Sequence, residues 1–140
     1  MTPTSDQSQP RWNTVLFDLD GTLVDTVNLC VTSYQYAYRE VRGVELDAEQ
    51  ARSWMGRSLV DVFGNTSEGV ALQQAYQTFN RAHLEELQTD VVGIRELLGE
   101  LSQAGVKVGV ATSKNRHAAQ RSVTAARLDD LVELTTTLDE

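Results

Sequence analysis

The sequence predicts an α/β protein in which a parallel sheet core is interrupted by an all-helical insert. Three observations carry that expectation. Thr14-Val15-Leu16-Phe17 is a short apolar run without alternation, the pattern of a strand covered on both faces. Val106 to Ala111 is a second such run, preceded by a helical repeat and Gly105, which makes half of a β-α-β crossover. Between the two, apolar residues from Val27 to Gln88 recur at steps of three and four, the period of helices.

In chain order, residues 1–12 hold both prolines and are otherwise mostly polar, too poor in apolar surface to offset ordering entropy, and read as a flexible tail. After the first strand, Val27, Cys30, Val31, Tyr34, Tyr38 and Val41 form one stripe of a helix that Gly43 stops. Asp47 with Gln50 reads as a capping box for a short helix through about Met55, closed by Gly56. Ser58 and Asp61 start a third helix before Gly64, and Ser67 opens a long one to about Gln88. Ile94, Leu97, Leu98 and Leu101 mark a helix ending at Gly105, ahead of the second strand. A helix then runs from Thr112-Ser113-Lys114-Asn115 to about Ala126, and Val132 to Thr137 opens a third strand.

The 140 residues, 41% hydrophobic, suit one ordinary globular domain. A net charge of -8 repels phosphate backbones and anionic membrane surfaces, which excludes nucleic acid as the expected partner. A single cysteine, Cys30, rules out an internal disulfide, and two histidines, His83 and His117, make no histidine-cysteine zinc site; both are expected at the surface. With no apolar run long enough for a membrane span and a polar start, the expected setting is reducing and cytoplasmic.

Chemistry concentrates in Asp18-Leu19-Asp20-Gly21-Thr22-Leu23-Val24-Asp25. Two carboxylates two residues apart, at the carboxyl end of a parallel strand, lie where open α/β sheets place ligands. Each is costly to desolvate without a cation or donors nearby, so a metal or a protonated partner is implied. Gly21 lets the backbone turn sharply and approach a ligand. The plainer alternative is a pair of turn carboxylates bonded to nearby amides. Downstream, Thr112 ends the second strand, where a hydroxyl and free helix-start amides can capture an anion or simply cap the helix.

The string Asp-x-Asp-Gly-Thr-Leu-Val-Asp after an apolar strand resembles motif I of the haloacid dehalogenase superfamily of phosphohydrolases, and Val108 to Lys114 resembles its motif II. The likeness extends from about Thr14 to Glu140 and is nearest the phosphoglycolate-phosphatase-like branch. It implies a Rossmann-like core over 13–26 and 89–140 and a helical cap over 27–88. By match, Asp18 is the nucleophile that becomes an aspartyl phosphate and Asp20 the acid and base, with Mg2+ held at Asp18 and Asp20. Gly21, Thr112, Ser113 and Lys114 would bind the phosphate, and Arg57, at the cap tip Gly56-Arg57-Ser58, an anionic substrate group. The aromatics Tyr34, Tyr36, Tyr38, Trp54 and Phe79 are read as cap packing, and Asp25 with Thr26 as structural residues of the hinge. The activity implied is Mg2+-dependent hydrolysis of a small phosphorylated metabolite, with phosphomutase or pyrophosphatase on the same core as alternatives.

The family's motif III lysine and acidic motif IV do not appear: no Lys follows Lys114 and no Pro follows Pro10. The expectation is therefore a piece of a longer phosphatase, feeble by itself and weak in metal retention. The family's strand order would leave Val15 to Asp18 as a bare apolar edge, to be covered by a homodimer, an exchanged strand or a separate remainder. A non-catalytic phosphate-binding or assembly module is the alternative from a different class.

Overall fold

The computed structural model describes residues 11–139. In order, these form β1 (Thr14–Phe17), β2 (Val24–Asp25), α1 (Val27–Arg42), α2 (Ala48–Ser53), α3 (Leu59–Phe63), α4 (Ser67–Leu87), β3 (Thr89–Asp90), α5 (Ile94–Gln103), β4 (Lys107–Ala111), α6 (Arg116–Ala125) and β5 (Glu133–Thr136). The expected tail falls almost wholly outside the described residues.

β1, β4 and β5 make a parallel sheet in the order β1-β4-β5. Being central, β4 buries Val108, Gly109 and Val110, so the uniform apolar run of a doubly covered strand belongs to it. β1 has the edge position that the family's strand order implied, and corrects only the expectation that both of its faces are covered. It lies at the sheet edge with Val15 and Phe17 only half-buried and Leu16 57% exposed, because no helix among the described residues covers that side. Gly109 is needed where the three strands meet: an added Cβ would sit 2.7 Å from Leu16 Cδ2 and overlap the Thr135 hydroxyl. The β4 to β5 register shifts at Val110/Ala111, and Thr112 N donates to Thr136 O at 3.0 Å beyond it.

Two hydrophobic clusters hold the elements. One joins the sheet to α5 and α6 through Val108, Val110, Leu98, Ala119 and Val123, and takes in Leu19 and Leu23 from the loop after β1. The other packs α1 against α4 and is centred on Tyr34, whose ring meets Trp54 edge-on at 5.3 Å, Phe63 at 5.7 Å and Tyr76 at 4.7 Å. These aromatics pack against one another, as their helical spacing suggested. Each fully buried leucine in such a cluster contributes roughly 1.5–3 kcal/mol relative to exposure.

The helix starts follow the side chains. Asp47 accepts from Gln50 N at 3.2 Å and Ser58 from Asp61 N at 3.1 Å, as read from the sequence, although α2 stops at Ser53, short of Met55. Thr66 caps α4 through Gly69 N at 3.1 Å. β2 and β3, antiparallel with Val24 opposite Asp90 and Asp25 opposite Thr89, were not foreseen; two-residue strands carry no periodicity to detect. They tie together the chain's exit from the sheet and its return.

Candidate active site

The loop after β1 is fixed from below. Leu19 and Leu23 are buried at 0% and 1% exposure, and the Leu19 carbonyl accepts from the amides of Thr22, Leu23 and Val24. Gly21 turns at φ +79°, a left-handed conformation that a side chain would strain. With the leucine between them buried, the flanking carboxylates are directed differently. Asp18 is exposed, and its Oδ1 accepts from Leu19 N at 2.8 Å. Asp20 is largely enclosed: its Oδ1 accepts from Thr26 Oγ1 at 2.7 Å and lies 3.1 Å from Lys114 Nζ. That ammonium also donates to Ser122 Oγ at 3.0 Å, so a cation from the segment after β4 bridges the Asp20 loop to α6.

A cavity of about 290 Å³ opens between this loop and the helices. Asp20, Ser113 and Lys114 line one side, Gly56 and Arg57 the other, where Ser113 Oγ donates to Gly56 O at 3.3 Å. Arg57 also donates from Nη2 to Asp61 O at 3.3 Å, which steadies its guanidinium. Asn80 and Arg81 of α4, with Arg121 of α6, line it further along. Four of the nominated residues, Asp20, Arg57, Ser113 and Lys114, thus meet around one space. Asp18, Gly21 and Thr112 do not line it.

Thr112 is half-buried and its Oγ1 accepts from Lys114 N at 3.2 Å, a local turn. The cap of α6 is Asn115, which accepts from Ala118 N at 2.9 Å, so Thr112 does not cap that helix. His117 is exposed, as expected, but lines the cavity, and His83 is half-buried against the Phe79 ring, with centroids 4.1 Å apart. Thr26, fully buried at the start of α1, holds Asp20 and was read only as a hinge residue. Asn80, Arg81 and Arg121 were missed: the two arginines look like any solvated side chain, and Asn80, buried four residues from both Tyr76 and Leu84, reads as a packing position although it donates to Ser33 Oγ at 3.3 Å.

Burial governs the ionisation of the cavity's back wall. It pushes the Cys30 thiol up, with the Asp20 charge adding to the effect, and raises the phenols of Tyr34 and Tyr76 as well, so these groups stay neutral. Among the described residues no group of three or more His, Cys, Asp or Glu converges as a metal site. The donors the loop offers are the exposed Asp18 carboxylate and Asp20, whose Oδ1 is engaged by Thr26 and Lys114. One or two carboxylates, completed by water and phosphate oxygens, suffice for Mg2+, so these residues fit that ion. No helix among the described residues is long and apolar enough to cross a membrane.

Residues 15–140 match the model of the haloacid dehalogenase-like hydrolases. The chain is 32% identical over 132 residues to the pyrophosphatase PpaX of Bacillus cereus (strain B4264), an alignment covering 93% of this chain and 61% of that relative. It spans about three fifths of the curated relatives it matches. Among solved structures, a predicted phosphoglycolate phosphatase from Haemophilus somnus 129PT superposes with a TM-score of 0.79 at 20% identity, over 92% of this chain and 64% of that one. Protein tyrosine kinase A of Mycobacterium tuberculosis matches with a TM-score of 0.75 at 26% identity, over 91% and 62%.

Proposed function

The chain belongs to the haloacid dehalogenase-like hydrolase family, and from that premise we propose that it is the nucleophile-bearing part of a phosphatase acting on a small phosphorylated metabolite. Asp18 attacks the phosphorus, the ester P–O bond breaks, and the leaving oxygen takes its proton from Asp20. Water then attacks the aspartyl phosphate, Asp20 takes the water's proton, and inorganic phosphate leaves with Asp18 restored. The Asp18 carboxylate and the Asp20 main chain would hold Mg2+; when bound, the ion supplies charge screening between nucleophile and phosphate.

The single observation that carries this reading is the Asp20 environment. A carboxylate on a loop clamped by two buried leucines faces a basic cavity and is oriented by Thr26 and Lys114. Thr26 begins the helical insert, so the proton-handling group is wired to the segment that covers the site. In this reading α1 to α4 form the cap, and Gly56-Arg57-Ser58 is its contact with the core through Ser113. Arg57, Ser113 and Lys114 serve the substrate's anionic oxygens, Gly21 gives the nucleophile loop its turn, and Thr112 sets the turn that presents Lys114.

The exposed position of Asp18 permits a conservative test. Beryllium fluoride, a phosphoryl mimic, with Mg2+ is expected to raise the melting temperature of the wild type and to leave Asp18→Asn unmoved. An equal shift in both proteins refutes Asp18 as the acceptor.

A further inference from the structure

The charge lining the cavity is opposite to that of the molecule. In a chain of net charge -8, the cavity carries Arg57, Arg81, Lys114 and Arg121 against one acid, Asp20. Lys114 is neutralised by Asp20, and Arg57 bonds to a carbonyl. Arg81 and Arg121 remain: neither forms an ion pair among the described residues, although Glu85 follows one turn after Arg81 on α4. Arg81 comes from α4 and Arg121 from α6, two helices that pack against each other, and both line the cavity.

Arg121 is the more unusual of the two. Its Nε and Nη1 are buried and make no hydrogen bond, an arrangement that costs desolvation energy without return. Burial and then the charge of Arg81 lower its hold on its proton, which places the two guanidinium groups within each other's field. Buried guanidinium donors without a bonded partner, with the exposed guanidinium of Arg81 lining the same cavity, favour the arrival of an anion, and planar forks match carboxylate or phosphate oxygens.

We propose that Arg81 and Arg121 form a second anion subsite in this cavity, so that the substrate is a phosphate ester carrying another anionic group, carboxylate or phosphate. The inference rests on the phosphatase reading and adds a requirement to it. The phosphoryl group lies at the Asp20 end of the cavity, against the loop that carries Asp18, while the distant anion joins α4 to α6. A simple monoanionic-ended ester fills only the first position.

Calorimetric titration of the chain, carrying Asp18→Asn so that no ester is consumed and with Mg2+ present, separates the possibilities. The probes are glycerol 3-phosphate, 3-phosphoglycerate and glycerol 1,3-bisphosphate, which share a three-carbon frame and differ in the far group. The doubly anionic ligands are expected to bind about tenfold or more tighter than glycerol 3-phosphate, the scale of one charge-assisted contact. Whichever of the two gains more identifies the far group as carboxylate or phosphate. Arg81→Gln and Arg121→Gln should erase that advantage while leaving glycerol 3-phosphate within about twofold. Equal affinity for all three ligands overturns the subsite and leaves the phosphatase reading standing. Loss of all three affinities together in Arg121→Gln, with an unchanged melting temperature, also overturns it. Absence of binding by any probe removes both readings.

Discussion

Lys114 makes the contact on which the cavity's charge arrangement turns, and its removal has a calculable cost. Its Nζ lies 3.1 Å from Asp20 Oδ1, and the two side chains are 14% and 17% exposed. At that separation the gross attraction is about 5 kcal/mol for an effective dielectric near 20. Desolvation of both groups returns most of it, leaving a net contribution on the order of 1–2 kcal/mol. Lys114→Met removes the attraction and leaves the Asp20 carboxylate with the Thr26 hydroxyl as its side-chain partner among the described residues, and Ser122 Oγ loses the Lys114 donor too. The expected loss is therefore roughly 2–3 kcal/mol, below the cost for a fully enclosed ion because water still reaches part of the carboxylate. Asp20→Asn is expected to cost about 1–2 kcal/mol, and the double variant less than the sum by about 1–2 kcal/mol. Urea unfolding of the four proteins closes the cycle. A coupling below about 0.5 kcal/mol, the range of unrelated sites, would show that the bridge does not hold the loop.

Two further outcomes follow from packing and burial. Gly69→Ala, in the first turn of α4, places a Cβ 2.5 Å from the carbonyl oxygens of Phe63 and Gly64, so the α3 to α4 link must move; the helix-propensity gain of about 1 kcal/mol is outweighed, and a net loss of roughly 1–2 kcal/mol should appear as a lower Tm, whereas an unchanged or raised Tm refutes the clash. Cys30, Tyr34 and Tyr76 all titrate above their ordinary ranges when folded, chiefly through burial; their stabilising contribution is complete below the unfolded values of about 9 to 10 and is lost as pH rises through the folded ones, so urea midpoints should fall progressively above about pH 9, less steeply in Cys30→Ala, and a flat profile to pH 11 would contradict it.

The parts of this fold legible in the sequence are those written locally. Asp47 and Ser58 announce their helices because a cap needs only a side chain and an amide three residues on. The loop from Asp18 to Gly21 is legible because a strand end, two acids and a glycine are contiguous. What stayed hidden depends on distant partners. The difference between Asp18 and Asp20 arises from Leu19 plugging the core, and the Asp20 to Lys114 contact joins residues 94 apart in the chain. The edge position of β1 came from the family's strand order and not from the run Thr14 to Phe17 itself, which reads the same whether a strand is central or at an edge. Arg81 and Arg121 escaped because each looks ordinary alone, and their meaning comes from lining the same cavity.

The β2 and β3 pairing bears on how this molecule can change over evolutionary time. Because Val24 and Asp25 lie beside Asp90 and Thr89, the excursion from 27 to 88 leaves and returns at one paired junction, and otherwise touches the remainder of the chain where Gly56 meets Ser113 and α4 meets α6. Insertions, deletions or wholesale replacement within that excursion need preserve the junction, these contacts and the few side chains it offers to the cavity. Lineages descended from such an architecture are free to diversify what they accept while inheriting the loop after β1 intact.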